Sequence, residues 1–164
     1  MIASSLVCLA LTLWTESRGE PIQGQIAVAS VVMNRVEQNN SSVCKEINKP
    51  YQFPWAKEKF RKVKNDYYVQ EKAVPKGEPW EKSLALASAI LDGSKAILPK
   101  ITSFHNNKEF PKWKLRKEYV LGNHIFYSNG ILLAKKESHI TSKIASATTL
   151  EQLIEAIDRS EQGI

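Results

Sequence analysis

Residues 11–36, LTLWTESRGEPIQGQIAVASVVMNRV, decide the fold, because they join two apolar helices through a short polar segment. The apolar run before the segment predicts a helix over residues 5–16, with Gly19 as a natural stop. Pro21 suits the first turn of a second helix, where its missing N–H costs nothing. Apolar residues then recur at three- and four-residue spacing as far as Val36, which predicts a central helix. The joint ESRGEP therefore places two glutamates between two buried helices.

After these two helices the pattern of apolar and polar residues changes along the chain. Residues 38–57 read as a polar loop and residues 57–72 as a basic, exposed helix, whereas residues 80–93 have the apolar spacing of a third core helix. From residue 101, short aromatic or β-branched runs punctuated by Asn and Gly favour strands. We predict an α+β, mainly α fold with a small β element late in the chain.

The last part of the chain carries two local signals. Asn129-Gly130 is typical of a hairpin turn, and Thr148 to Glu151 is a capping box that opens a short amphipathic helix. The length suits one domain. We therefore predict a single catalytic domain over residues 1–164, with residues 129–164 as a C-terminal extension.

Composition leaves the partner open. The net charge of +6 suits a polyanion such as a bacterial wall, a membrane surface or nucleic acid, and it equally suits solubility alone. Residues 2–14 are apolar like a signal peptide, but no Lys or Arg precedes Arg18, so they read as a core helix. Cys8 lies in this helix, where a buried free thiol is the expected role; a bridge to Cys44 is the alternative.

The two glutamates of the joint face opposite electrostatic conditions. Glu16 would lie at the carboxyl end of the first helix, where partial burial and unpaired carbonyls disfavour its anion, as a general acid requires. Glu20 would lie at the amino end of the second helix, where N–H groups favour a carboxylate. Spacing alone favours a plainer interpretation, in which Glu16 is exposed and Glu20 only caps a helix.

Several motifs resemble those of the spore-cortex-lytic, or cell wall hydrolase, family. The joint is similar to that family's Glu-Ala-Arg-Gly-Glu-like motif, and the following helix resembles its Gly-Gln-x-x-x-Ala-x-Val-x-x-Asn-Arg helix, through Asn34 and Arg35 at its end. YQFPW resembles a Gln-Phe-Ser-Trp-like loop. SFHN, FPKW and GNHIFY resemble the family's closing block. The likeness covers about residues 6–127.

The resemblance implies a lysozyme-like fold and cleavage of peptidoglycan glycan strands, with Glu16 as catalytic acid. A glycoside hydrolase would want a second carboxylate about 5–9.5 Å away. None of the aspartates, Asp66, Asp92 and Asp158, lies in a matched motif. In a single-acid route the muramyl C6 hydroxyl attacks its own anomeric carbon, which gives a 1,6-anhydro sugar. We therefore predict a lytic transglycosylase, with a muramidase as the alternative.

The matched motifs also supply candidate substrate-binding residues, because sugars stack on flat rings and bond to amides. The candidates are Glu20, Tyr51, Gln52, Phe53, Trp55, His105, Asn106, Trp113, Asn123, His124 and Tyr127. We expect no cofactor and no metal. A zinc amidase stays an alternative, but its ligands would come from Cys8, Cys44, His105, His124 and His139, which lack the close spacing of a zinc motif.

Peptidoglycan glycan strands are the predicted partner, without nucleic acid or stable membrane insertion, and the protein is predicted to be a monomer. With no evident signal peptide, the expected setting is a phage endolysin made in the host cytoplasm that acts on the wall. A non-catalytic basic module that binds wall glycan or nucleic acid is the alternative from a different class.

Overall fold

The structure, a computed structural model, describes residues 1–129. Within this part of the chain the elements are the helices α1 (Ser5–Ser17), α2 (Ile22–Asn39), α3 (Val43–Ile47), α4 (Ala56–Lys59) and α5 (Glu78–Leu91) and the strands β1 (Phe60–Val63), β2 (Asp66–Val69), β3 (Ile101–Asn106), β4 (Arg116–Leu121) and β5 (His124–Ser128). The prediction of an α+β, mainly α fold with strands late in the chain is confirmed. Gly130 of the predicted Asn129-Gly130 turn and the whole Thr148–Glu151 capping box lie outside the described residues.

Helix α1 forms the centre of the core. Ser4 caps it by accepting a hydrogen bond from the Val7 backbone N–H at 3.3 Å. Every residue from 8 to 13 is fully buried, so the helix is enclosed on nearly all sides by α2, α3 and α5. A helix that is apolar all round is stable only in such an interior position. The predicted first core helix is confirmed.

No helix within residues 1–129 combines the length and the apolar character that crossing a bilayer requires.

Helix α2 carries the late strands on its outer side. The Asn34 side chain donates hydrogen bonds of 2.9 Å to the backbone carbonyls of Leu98 and Ile101, at the start of β3. The Arg35 Nε donates at 2.6 Å to the Thr102 carbonyl. These part-buried bonds give partners to three backbone carbonyls at or near the start of β3. The Asn-Arg pair that ends the helix motif thus fixes the sheet to α2.

The late sheet is antiparallel with strand order β3-β5-β4. Strands β4 and β5 are joined by the two-residue turn Gly122-Asn123, in which Gly122 has φ +56°. A left-handed backbone at this position favours glycine. The strands that the sequence predicts after residue 101 are confirmed.

The predicted basic helix over residues 57–72 is wrong. Helical structure there is limited to the short α4 and to a 3-10 turn at Glu71–Ala73, and between them lies an antiparallel hairpin of β1 and β2, in which Val63 pairs with Asp66. Lys64, in the connection, has φ +54°, and the pairing of aromatic and β-branched positions outweighs the helix propensity of the lysines. The predicted loop over residues 38–57 also contains α3, whose amino end Ser42 caps.

The prediction of a free thiol at Cys8 is wrong as well. Cys8 and Cys44 form a disulfide, with their Cα atoms 5.3 Å apart and a sequence separation of 36. The bond joins α1 to α3. A crosslink that closes a loop of this length typically stabilises a fold by about 2–4 kcal/mol. Two cysteines in separate helices carry no signal of this pairing, because it depends on how the helices pack.

Candidate active site

A cleft of about 420 Å³ opens between the end of α1, the loop of residues 51–55 and strand β3. We call it the active cleft, and we call residues 51–55 the aromatic loop. Its lining includes seven of the residues that the sequence predicts for the site: Glu16, Tyr51, Gln52, Phe53, His105, Asn106 and Trp113. Segments about ninety residues apart in the chain therefore meet in one cavity.

Glu16 lies one residue before the end of α1 and is half-buried in the cleft wall. The Trp55 indole Nε1 donates a hydrogen bond of 2.8 Å to its Oε1. Burial raises the pKa of the Glu16 carboxyl above its usual 4.5, the Trp55 hydrogen bond opposes this rise, and the negative charge of Glu109 adds to it. A carboxyl that keeps its proton to higher pH and faces an open cleft has the properties of a general acid.

The two residues after Glu16 hold the end of α1 in place. The buried Ser17 hydroxyl donates to the Leu13 carbonyl at 3.0 Å. The Arg18 guanidinium donates to the Trp14 carbonyl at 2.8 Å and lies 4.1 Å from the centre of the Trp14 ring. A cation at a helix carboxyl end also interacts favourably with the helix dipole. The arginine of the motif thus fixes the position from which Glu16 enters the cleft.

The aromatic loop has an anchored half and an exposed half. Phe53 is buried, with ring centres 6.0 Å from Trp55 and 6.2 Å from Phe104. Tyr51 is 95% exposed and has φ +65°, an uncommon conformation for a bulky residue. Gln52 is exposed beside it. The buried rings therefore hold the loop while Tyr51 and Gln52 stay available to a ligand.

Two of the cleft-lining residues, His105 and Trp113, belong to a cluster of three rings that Tyr127 completes. The His105 Nε2 lies 2.8 Å from the Tyr127 hydroxyl, with the two rings stacked at 5.3 Å, and Trp113 packs edge-on against both at 5.5 Å. The His105 Nδ1 lies 2.6 Å from the Asn106 carbonyl, which can only accept. In the neutral ring Nδ1 therefore carries the proton, and Nε2 accepts from Tyr127. His105 is thus held by hydrogen bonds on both ring nitrogens.

Three predicted site residues lie away from the cleft lining, at the turn between β4 and β5. The Asn123 backbone N–H donates to the Glu20 Oε2 at 3.2 Å, and the buried His124 Nδ1 is 3.8 Å from the Glu20 Oε1. A Cβ on Gly122 would overlap the Glu20 carboxylate. Glu20 therefore fastens the amino end of α2 to this turn instead of capping the helix. None of these three residues is among those that line the cleft, and their predicted substrate-binding role stays a prediction.

The environment of His124 is unfavourable for its charged form. Burial lowers the pKa of His124, while the negative charges of Glu20 and Glu109 raise it by less and His105 lowers it slightly. Its Nδ1 has no hydrogen-bond partner within residues 1–129. The neutral ring, packed edge-on against Phe104 at 5.2 Å, is the form that suits this position.

Two charged residues of the cleft are missing from the sequence-based list of site residues. Arg35 lines the cleft with its guanidinium 5.9 Å from the centre of the Phe53 ring, and burial lowers its pKa. Glu109 also lines the cleft, on the loop after β3. It is the one carboxylate in residues 101–117, next to a matched motif, and that position was a usable signal. Pro54, Ser103, Phe104 and Leu115 complete the lining.

Within residues 1–129, no three His, Cys, Asp or Glu side chains come together in an arrangement that could hold a metal ion. The acidic side chains that line the cleft are Glu16 and Glu109, and amide, imidazole and aromatic side chains surround them.

Comparison with known proteins identifies the family. No curated protein and no solved structure matches the chain. The sequence model of the Cell Wall Hydrolase family matches residues 19–127, well over half of the chain. The match includes Glu20, the aromatic loop and the sheet, and it begins three residues after Glu16. The chain belongs to the cell wall hydrolase family, whose members act on peptidoglycan.

Proposed function

We propose that this protein cleaves the glycan strands of peptidoglycan at the β-1,4 bond between N-acetylmuramic acid and N-acetylglucosamine, with Glu16 as the catalytic acid. One observation carries the proposal. The Glu16 carboxyl is half-buried in the wall of an open cleft, it accepts a hydrogen bond from Trp55, and burial raises its pKa. Membership of the cell wall hydrolase family supports peptidoglycan as the substrate.

The proposed reaction is a lytic transglycosylation that needs no water. The Glu16 carboxyl gives its proton to the glycosidic oxygen as the bond from that oxygen to the muramyl anomeric carbon breaks. The muramyl C6 hydroxyl then forms a bond to the anomeric carbon, and its proton passes to the Glu16 carboxylate. The products are a strand ending in a free N-acetylglucosamine 4-hydroxyl and a strand ending in 1,6-anhydro-N-acetylmuramic acid, and Glu16 is restored.

The lining of the cleft suits a glycan strand. Tyr51 and Trp113 are exposed rings of the cleft lining and can stack against sugar faces. The amides of Gln52 and Asn106 can bond to hydroxyl and acetamido groups. Trp55 has a different role, because its indole N–H is used by Glu16.

Hydrolysis of the same bond is the second candidate, and Glu109 is the observation that favours it. A muramidase needs a second carboxylate on the far side of the sugar to activate water or to form a covalent intermediate. Glu109 lines the same cleft as Glu16, and its charge raises the Glu16 pKa. The two candidates thus differ in whether Glu109 takes part in the reaction.

Mass spectrometry of the muropeptides released from purified sacculi tests the proposal. Transglycosylation gives anhydromuramyl ends, and Glu109→Gln keeps that product and most of the rate. Reducing muramyl ends, heavier by about 18 Da (one water), together with loss of activity in Glu109→Gln would establish the muramidase instead. Glu81→Gln is the matched control, since Glu81 is an exposed acid on α5 outside the cleft.

Two other outcomes would reject glycan cleavage. Release of free stem peptides, with inactivation by chelators, would identify an amidase. Binding to the wall without any product, unchanged in Glu16→Gln, would identify a non-catalytic module.

We also propose that the enzyme works on the wall during lysis of a bacterial host by a phage. The net charge of +6 suits the anionic wall. The Cys8–Cys44 disulfide is typical of proteins that act in oxidising compartments, on the wall side of the inner membrane.

A further inference from the structure

A second groove, of about 400 Å³, adjoins residues 50–57. Four lysines, Lys45, Lys49, Lys57 and Lys62, line it together with Tyr67 and neutral residues, and we call it the lysine groove. No Asp or Glu of residues 1–129 is among its lining residues. The lysines come from α3, the turn after it, α4 and β1, so four parts of the fold bring like charges together.

Three of these lysines have no carboxylate partner within residues 1–129, and the fourth does. Lys49 pairs with the buried Glu46 at 2.7 Å. Lys45, Lys57 and Lys62 are exposed and form no ion pair with a carboxylate of residues 1–129. Like charges gathered around a concave surface create a positive potential that favours an anionic ligand.

The lysine groove is next to the active cleft. Lys57, in the groove, has its Nζ 5.9 Å from the centre of the Tyr51 ring, and Tyr51 lines the active cleft. Pro50 of the groove directly precedes Tyr51 in the chain. A substituent of a sugar bound beside Tyr51 would therefore lie next to a lysine of the groove.

We propose that the lysine groove is a subsite for the carboxylates of the stem peptide that hangs from N-acetylmuramic acid. This inference rests on the proposed function, since the muramyl residue that reacts at Glu16 carries the peptide covalently. The stem peptide is anionic and starts at the sugar ring, so it extends from the cleft towards neighbouring surface. Lysine ammonium groups on flexible stems suit carboxylates of variable position better than one rigid fork would. Tyr67 adds an apolar wall for the peptide backbone.

The test compares two substrates and two double variants. Lys45→Gln/Lys62→Gln removes two charges of the groove without touching Tyr51. Lys72→Gln/Lys76→Gln removes two exposed charges outside both cavities and is the matched control. kcat/KM is measured on glycan strands that keep their stem peptides and on strands stripped of them by an amidase. We expect the groove variant to lose roughly 3- to 30-fold on the peptide-bearing strands only, and the control to match wild type.

An equal loss on both substrates would overturn the stem-peptide subsite while leaving glycan cleavage intact. A loss that appears only on walls retaining phosphodiester polymers would also overturn it and assign the groove to those polymers. If the wild type cleaves neither substrate, the proposed function fails, and binding of an isolated stem tetrapeptide still decides on the groove. NMR shifts of the lysine ammonium groups that respond to this peptide and weaken with salt support the subsite; unchanged shifts reject it.

Discussion

Glu16 and Glu20 are four residues apart in one motif, yet they lie in different surroundings. The Glu16 carboxyl faces the active cleft and is held by a single indole N–H, from Trp55. The Glu20 carboxylate is packed against the β4–β5 turn, accepts the Asn123 backbone N–H and fills the space that Gly122 leaves. One carboxyl group is open to a ligand, and the other is enclosed by the protein's own backbone.

The difference shows how one motif can serve two purposes. The break between α1 and α2 turns Glu16 towards the cleft and Glu20 towards the sheet, although both are glutamates at helix ends. Proton transfer needs a carboxyl group with room for a substrate, whereas attachment of the sheet needs one with all its space filled. We therefore propose a chemical role for Glu16 and a structural role for Glu20.

Replacement of each of the two carboxylates by an amide should show the largest difference between Glu16 and Glu20. Glu16→Gln removes the proton donor, so we expect kcat on sacculi to fall by roughly 10²- to 10⁴-fold while wall binding is kept. Glu20→Gln should keep the anhydromuramyl product and lose mainly stability. Equal loss of turnover in both variants, with both folded by circular dichroism, would contradict the division of roles.

The space around Glu20 can be tested through Gly122. Gly122→Ala places a Cβ where the Glu20 carboxylate lies and forces alanine into φ +56°. We expect the free energy of unfolding to fall by about 1–3 kcal/mol, from chemical denaturation. Gly19→Ala is the control, because a Cβ at Gly19 has no neighbour within 4 Å. Equal stability of the two variants would show that Glu20 does not depend on this turn.

The stability of Glu16→Gln should depend on pH in a defined direction. Because the pKa of Glu16 is raised above 4.5 in the folded state, the wild type loses stability relative to the variant as pH rises through that folded-state value. At pH 7 the variant should therefore be the more stable protein, and the difference in stability should close well below pH 4.5, where Glu16 is protonated in both the folded and the unfolded state. Denaturant unfolding at pH 7 and well below pH 4.5 measures this difference in the free energy of unfolding. A variant less stable than wild type at pH 7 would be the contrary result.

Substitution of Trp55 should have a smaller effect, on the pH dependence of activity. The Trp55 hydrogen bond lowers the Glu16 pKa, so Trp55→Phe should raise it further and move the alkaline limb of the activity profile to higher pH. Trp80→Phe is the control, since Trp80 is buried in α5 away from the cleft. A limb that stays in place would mean that the indole does not bond to Glu16 in solution.

The sequence predicts well those features that depend on periodic burial. The three long helices and the late strands follow from apolar spacing, and the cleft residues of the aromatic loop and of β3 follow from matched motifs. The hairpin of residues 60–69 is not predicted, because charged residues on its exposed face hide the alternation of apolar and polar residues that is typical of a strand. The Cys8–Cys44 disulfide is not predicted either, because it depends on how α1 packs on α3.

The candidate site is predicted less completely than the fold. Glu109 is missed because it stands between motifs, and its place in the same cleft as Glu16 depends on the course of the loop after β3. Glu20 and Asn123 belong to matched motifs but meet each other instead of the cleft. A motif identifies residues that belong to one structural or functional unit. Only the tertiary structure shows which of them face a ligand and which of them contact the protein's own backbone.

The pKa of the Glu16 carboxyl in the folded protein tests the central claim most directly. A ¹³C-detected NMR titration of the side-chain carboxyl, assigned by comparison with Glu16→Gln, measures it without substrate. We predict a midpoint above the ordinary 4.5, matched by the alkaline limb of kcat/KM on peptidoglycan. A midpoint at or below 4.5, or activity that persists unchanged after Glu16 has ionised, would contradict the role of Glu16 as proton donor.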